Sequence, residues 1–316
     1  MKIEKLDQSS HKILVTGASG LIGGILVPFL TARGYQVVTL GRRADCSDPA
    51  AFSWDPDRKE IDIRALEGVD AVIHLAGANL TDGRWTPARK RAIMDSRVQS
   101  TRLLVEAMSR GTLGIGTLIS SSAIGFYGDT GEQAVDETAP CRRGFLAEVC
   151  QAWESEAIEA AETGTRVVLM RTGIVLTPDG GALGKLLPIF AKGVGGPVGG
   201  GRQWMSWISA DDLAAVFLHT LDNPDLTGPC NGVAPEPVRN ADFTRTLAKV
   251  LGRPAVVRVP KLALRILLGQ MADETVLASC RVVPRELERT GFRFRHRNLE
   301  EALRHVLSRQ RCEQDG

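Results

Sequence analysis

Two hydrophobic periods alternate along the first half of the chain. Residues 13–15 (Ile-Leu-Val) form a continuous apolar run that ends in a glycine-rich turn. Leu21, Ile22, Ile25, Leu26, Phe29 and Leu30 then recur at the spacing of one helical face. Gly34 stops that helix, and 36–40 reads as a second buried strand. Further apolar runs at 71–75, 118–120 and 166–170 read as strands, with helices over 87–109 and 145–163 between them. Strands apolar on both faces, alternating with helices, predict a parallel sheet covered on both sides. After Arg171 the texture changes. Glycine and proline cluster at 178–202, and helical patterns recur at 211–222, 240–251 and 299–308. A strand beginning at 231–233 is expected to return towards the first half, and 281–297 to fold back as helix plus strand, broken at Gly291. The expected division is a polar extension at 1–12, a nucleotide-binding domain at 13–175 and a smaller substrate-side lobe at 176–316, some of it returning to the main domain.

Composition narrows the class. Of 316 residues, 43% are hydrophobic and 24% charged, the balance of an ordinary globular chain. A net charge of +2 leaves no electrostatic footprint for nucleic acid, and the basic run at 281–297 is interrupted by Glu286, Glu288 and apolar residues. No apolar run approaches ~18 residues, so no membrane span is expected. The first twelve residues lack the apolar core of a secretory leader. Cys46, Cys141, Cys150, Cys230, Cys280 and Cys312 are scattered without C-x-x-C spacing, which predicts neither a metal site nor a disulfide framework and fits a cytoplasmic protein.

Candidate chemistry begins at the first glycine-rich turn. Val15 to Gly23 reads VTGASGLIG, with Gly17, Gly20 and Gly23 between a strand and a helix. The first glycine permits the tight turn, the second lets backbone approach a pyrophosphate, and the third lets helix pack closely on strand; the helix N-terminus faces the phosphates. The expected fold is therefore α/β, a Rossmann-like doubly wound parallel sheet with a smaller C-terminal substrate lobe. Gly17, Ser19, Gly20, Leu21, Ile22 and Gly23 are its candidate cofactor contacts. Gly41-Arg42-Arg43 ends the second strand, with no carboxylate before Asp45. An arginine there pairs with a 2′-phosphate that a carboxylate would repel. This predicts NADP(H), with Arg42 the leading contact and Arg43 the second. Leu75, Ala76 and Gly77 close the next strand in a small-residue turn suited to passing under the cofactor, and His74 reads as a core histidine.

TGASGLIG, HLAG (74–77), SSSAIGFYGD (120–129) and WISADDLAA (207–215) occur in an order that resembles the extended short-chain dehydrogenase/reductases. A narrower resemblance rests on RWTPARKRAIMDSRVQSTRLL (84–104), GFLAEVCQAWE (144–154), MRTGIVLTPDGGALGKLLP (170–188), GGPVGGGRQWMSWISADDL (195–213), NGVAPEPVRNADF (231–243) and VVPRELERTGFRF (282–294). These segments are similar to an atypical subgroup called epimerase family proteins, some of whose members are called cell-division inhibitors. The resemblance spans nearly the whole chain and implies NADP(H). It also implies that Arg97, standing where most extended members have an asparagine, reaches a phosphate or braces the cofactor loop. Thr172, Gly173 and Val175 match the segment that passes the nicotinamide.

The family's usual mechanism uses Tyr-x-x-x-Lys on one helical face, with a serine or threonine at the end of the preceding strand. Here that spacing holds Phe145 with Val149 or, one register on, Leu146 with Cys150. Neither pair supplies an acid or a cation. Ser122 matches the family's serine. Tyr127 is the substitute acid to test, with a structural or substrate-positioning role as its alternative. Ser122 and Tyr127 are thus the candidate catalytic residues. Asp129, Glu137, Lys185, Arg202 and Asp211 are further candidates for a polar pocket, and Cys150 reads as an inert buried thiol. Glu154 reads as a surface carboxylate or the buried partner of an arginine. Trp204 and Trp207 either wall a pocket or join the core, and Asp211 or Asp212 is expected to cap the helix that follows.

Three functions stay open: an NADP(H)-dependent carbonyl reductase or nucleotide-sugar epimerase lacking the usual pair, a non-catalytic NADPH-binding regulatory protein linked to cell division, and a nucleotide-sugar binder that retains the site without turnover. Each takes an unidentified small molecule, as monomer or homodimer, with no nucleic acid and no membrane span.

Overall fold

The computed structural model describes residues 11–44, 47–110 and 113–314. Residues 1–10 of the expected extension at 1–12, Asp45, Cys46 and the Cys312 side chain lie outside the described residues, and Lys12 already belongs to the first strand. The first half runs β1 (Lys12–Thr16), α1 (Leu21–Thr31), β2 (Gln36–Gly41), β3 (Ala51–Asp55), β4 (Glu60–Ile61), β5 (Ala71–His74), α2 (Pro87–Met108), β6 (Thr117–Ala123), β7 (Ala134–Val135), α3 (Phe145–Ile158) and β8 (Arg166–Thr172). The second runs β9 (Ile174–Leu176), α4 (Gly181–Ala191), β10 (Trp204–Met205), β11 (Trp207–Ser209), α5 (Ala210–Asp222), β12 (Gly228–Gly232), β13 (Val238–Arg239), α6 (Asn240–Leu251), α7 (Lys261–Leu268), β14 (Arg281–Val282), α8 (Arg285–Arg289) and α9 (Leu299–Gln314).

Eight strands form one sheet in the order β12-β8-β6-β5-β1-β2-β3-β4. Every neighbouring pair is parallel except β3 with β4. Successive residues of a strand face opposite sides, and the two cores follow that alternation. Leu14, Val72, Leu118 and Val167 pack against Leu104 and Ala107 of α2 and Ala157 of α3. Ile13, Val15, Ile73, Ile119 and Val168 pack against Leu26 and Leu30 of α1 and Phe217 of α5. A third core joins Trp207 to Leu183 and Phe190 of α4, Phe243 and Leu247 of α6, and Leu303 of α9.

The second half shares the first half's sheet and core. β12 pairs with β8 along Gly228–Gly232, three residues upstream of the expected start at 231. Several expectations need correction. The glycine- and proline-rich stretch contains a helix, α4, despite Pro188 within it. Burial of Leu183 and Phe190 in the third core outweighs weak local propensity. In 281–297 the strand precedes the helix, and Gly291 follows α8 at φ 77°. Strands β3 and β4, which lengthen the sheet beyond β2, had no expected counterpart.

Candidate cofactor groove

The turn between β1 and α1 is built by contact with backbone. Gly17 has φ 67°, and a Cβ there would come within 2.8 Å of the Leu75 carbonyl carbon. At Gly23 a Cβ would stand 2.4 Å from the Gly17 carbonyl oxygen. The Gly20 N–H donates to that same oxygen at 2.9 Å. Gly20 caps α1 without any side-chain hydrogen bond, and no acidic residue lies in the first turn. The helix therefore begins with bare N–H donors and an uncompensated positive dipole end, which suits a pyrophosphate. Ser19, Leu21 and Ile22 lie in the same turn, none of them buried.

Behind this turn, Thr16 Oγ1 accepts from the N–H groups of Leu75 and Ala76 at 3.1 and 3.2 Å. His74 joins Thr16 Oγ1 at 2.7 Å and Thr101 Oγ1 at 2.9 Å. Burial lowers its pKa to about 3, so it is a neutral core histidine at physiological pH. Arg42 and Arg43 follow β2 directly and are exposed.

Arg97, on α2, is 9% exposed. Its Nη1 donates to the carbonyls of Ala78 and Ile93, each at 3.1 Å. Its guanidinium lies 5.0 Å from the Trp153 ring centroid and against Gly77, where a Cβ would meet Cζ at 3.1 Å. It therefore braces the loop after β5. No carboxylate pairs with it among the described residues, and burial lowers its pKa to about 10.

The structure distinguishes the two registers on α3. Phe145 and Val149 are buried in a cluster with Trp85, Ile93 and Met271, against which Leu146 also packs in part. Leu146 and Cys150 face the end of β6: a Cβ at Gly125 would lie 3.1 Å from Leu146 Cβ and 3.9 Å from Cys150 Sγ. The Cys150 thiol points to the Ala123 carbonyl at 3.6 Å, and burial pushes its pKa up to about 11. An apolar side chain and an un-ionised thiol thus occupy the face expected to carry acid and cation.

Next to them runs a buried polar chain. Ser122 Oγ donates to Glu154 Oε1 at 2.6 Å. Arg171 holds the same carboxylate with both ends of its fork, Nε to Oε1 at 2.9 Å and Nη2 to Oε2 at 2.7 Å. Its Nη1 donates to the Tyr127 hydroxyl at 2.9 Å, which donates to Asn231 Oδ1 at 2.8 Å. The Asn231 N–H reaches Glu137 Oε1 at 2.9 Å. Tyr127 is fully buried, and burial pushes its pKa up to about 12. Tyr127, the candidate substitute acid, thus gives its hydrogen to Asn231 from a fully buried position, a setting that suits the structural role held as its alternative. Ser122 is likewise held, with its hydrogen given to Glu154.

Thr172 ends β8, whose strand runs two residues past the expected end at Met170, and Gly173 donates to the Gly232 carbonyl at 3.1 Å. Val175 lies in β9, paired with Ile208 of β11. Glu137 belongs to the buried chain, Asp129 and Arg202 line one cavity of about 400 Å³, and Lys185 and Asp211 belong to neither. Lys185 reaches Thr81 at 2.5 Å and Asp211 holds His305 at 2.6 Å. Asp129 accepts from the Gly131 N–H at 2.9 Å. Trp207 is core, and Trp204 is flanked by Arg239 and Arg281. Neither Asp211 nor Asp212 caps α5: Ser209 Oγ accepts from the Asp212 N–H at 3.2 Å. The Asp212 carboxylate instead accepts from the N–H groups of Arg295 and His296. Arg171 and Asn231 were missed as site neighbours; the signal was a charged residue inside the apolar strand RVVLMRT. Among the described residues no group of three or more His, Cys, Asp or Glu could hold a metal ion.

The profile of the NAD dependent epimerase/dehydratase family matches residues 13–231, and that of a domain of unknown function (DUF1731) matches 259–306. Epimerase family protein Mb2239 of Mycobacterium bovis is 40% identical over 297 residues, 94% of this chain and 98% of its own. The chloroplastic epimerase family protein SDR39U1 homolog of Arabidopsis thaliana is 37% identical over 311 residues, 95% of this chain and 88% of its own. The crystal structure of human epimerase family protein SDR39U1 (isoform2) with NADPH superposes with a TM-score of 0.85 at 30% identity, covering 94% of this chain and 99% of that one. With the glycine turn, the parallel sheet and the altered α3 in place, the chain belongs to the NAD dependent epimerase/dehydratase family, as an epimerase family protein with the extended short-chain dehydrogenase/reductase fold.

Proposed function

We propose that the chain binds NADP(H) and exchanges hydride with a carbonyl or alcohol carbon of a small molecule, as a reductase or epimerase. One observation carries the cofactor: the uncapped α1 N-terminus lies behind a turn that side chains at Gly17 or Gly23 would fill. Gly17, Ser19, Gly20, Leu21, Ile22 and Gly23 would hold the pyrophosphate, and Arg42 and Arg43 the 2′-phosphate. Leu75, Ala76 and Gly77 would form the floor. Arg97 would turn its remaining donors to cofactor oxygens, and Thr172, Gly173 and Val175 would border the nicotinamide end. When bound, the nicotinamide supplies or accepts the hydride. Ser122 keeps lone pairs for a substrate hydroxyl, because its own hydrogen goes to Glu154. The NADPH in the human relative's structure supports this cofactor.

Fluorescence titration tests it. Arg42→Ala should weaken NADPH roughly tenfold to a hundredfold, the value of one charge-assisted bond, and leave NADH nearly unchanged. Equal losses for both would refute the 2′-phosphate assignment. A second reading is favoured by Leu146 and Cys150 on the reactive face: a non-catalytic NADPH-binding regulatory protein. Tight NADPH binding without absorbance change across a panel of carbonyls would select it. Turnover abolished in Ser122→Ala would select the enzyme.

A further inference from the structure

Half of the exposed large apolar side chains among the described residues lie in one short segment. Ten are found in all, and Val256, Val257, Leu262, Ile266 and Leu267 are five of them. Leu262, Ile266 and Leu267 are each 67% exposed on α7, a helix that buries none of its residues. Scattered exposed leucines need no explanation, but a concentration of this kind marks a contact surface.

The charge on the same segment says what covers it. From Gly252 to Ala272 there is no Asp or Glu, while Arg253, Arg258, Lys261 and Arg265 are all cationic. Arg265 is paired with Asp273 at 2.8 Å. Arg253, Arg258 and Lys261 have no ion pair among the described residues. Arg253 and Arg258 also line a cavity of about 450 Å³ with Arg245 and Lys249, and no acidic residue borders it. Arg245 and Lys249 are engaged by Asp242 and Glu300. A two-fold contact between copies would bring this surface against itself and set like charges face to face. An anionic surface meets both features, since cations bind phosphates while short apolar side chains enter the headgroup boundary.

We propose that residues 253–267 form a peripheral docking surface for anionic phospholipid bilayers, with α7 lying in the interface. Among the described residues no helix is long and apolar enough to cross a membrane; an association by surface cations and short apolar side chains is reversible and salt-sensitive.

Vesicle co-sedimentation of the full chain tests this, with phosphatidylcholine alone against phosphatidylcholine mixed with phosphatidylglycerol. Binding is expected only to the mixed vesicles, and should weaken with added salt. The pair Leu262→Asp with Ile266→Asp, and separately Arg253→Glu with Arg258→Glu, should each reduce it by roughly tenfold or more. All four positions are outside the cofactor groove, and unchanged thermal melts would show the variants folded. No binding to mixed vesicles, or binding indifferent to both pairs, overturns the proposal. Loss in the arginine pair alone, with inorganic phosphate competing fully, would identify a free-anion site instead. A dimer in sizing chromatography that the apolar pair dissociates, without vesicle binding, would identify a second copy. Either result also overturns it.

Discussion

At the residue scale, the Glu154–Arg171 pair decides what the buried site tolerates. Both side chains are at most 5% exposed, so removing one partner leaves an uncompensated buried charge. Arg171→Met should cost about 3–5 kcal/mol in urea unfolding, whereas Glu154→Met with Arg171→Met should recover much of that. Tyr127→Phe strips a partner from both Arg171 and Asn231 and should cost about 1–3 kcal/mol, while NADPH affinity stays unchanged. Loss of affinity without loss of stability would return Tyr127 to the groove. The sequence located Tyr127 in the turn after β6 but left its direction open, because a short turn can present a side chain to either side. For Glu154 the sequence left a surface carboxylate and a buried pair both open, because its partner was hidden in a strand that otherwise reads as core.

At the element scale, legibility followed burial. β1, β5, β6 and β8 are covered on both faces, so their sequences are continuous apolar runs with little ambiguity. α4 was lost because Gly180, Gly181, Gly184 and Pro188 are local breakers, and only packing after the chain has folded overrides them. The β1–α1 turn was legible because it depends on backbone contact that only glycine permits. Gly23→Val should therefore abolish NADPH binding in the fluorescence titration, since even a Cβ would stand 2.4 Å from the Gly17 oxygen. On α3, Cys150 is shielded and its pKa raised to about 11 by burial. Iodoacetamide at neutral pH should leave it unmodified in the folded protein and label it after denaturation. Rapid native labelling would show a thiolate there.

At the scale of the whole molecule, acid should loosen the fold through one central residue. His74 ties β1, β5 and α2 together, and burial lowers its pKa from 6.5 to about 3. The unfolded chain takes up a proton there below about pH 6.5, which the folded chain refuses until about pH 3. Stability is complete above that window and falls as pH drops through it, by at most about 1.4 kcal/mol per unit. Thermal melts at about pH 7 and about pH 5 should show a larger drop for the wild type than for His74→Asn. Equal drops would assign acid sensitivity to other groups. The sharing of one core by both halves bears on the order of synthesis. Ile13 and Val15 emerge early, yet their cluster is closed by Phe217, Cys230, Leu287 and Phe294. The edge of β8 likewise waits for β12. A nascent chain ending near residue 175 would carry an open apolar face and an unpaired strand edge, both prone to aggregation. The first half therefore completes its fold only after most of the second half has been made.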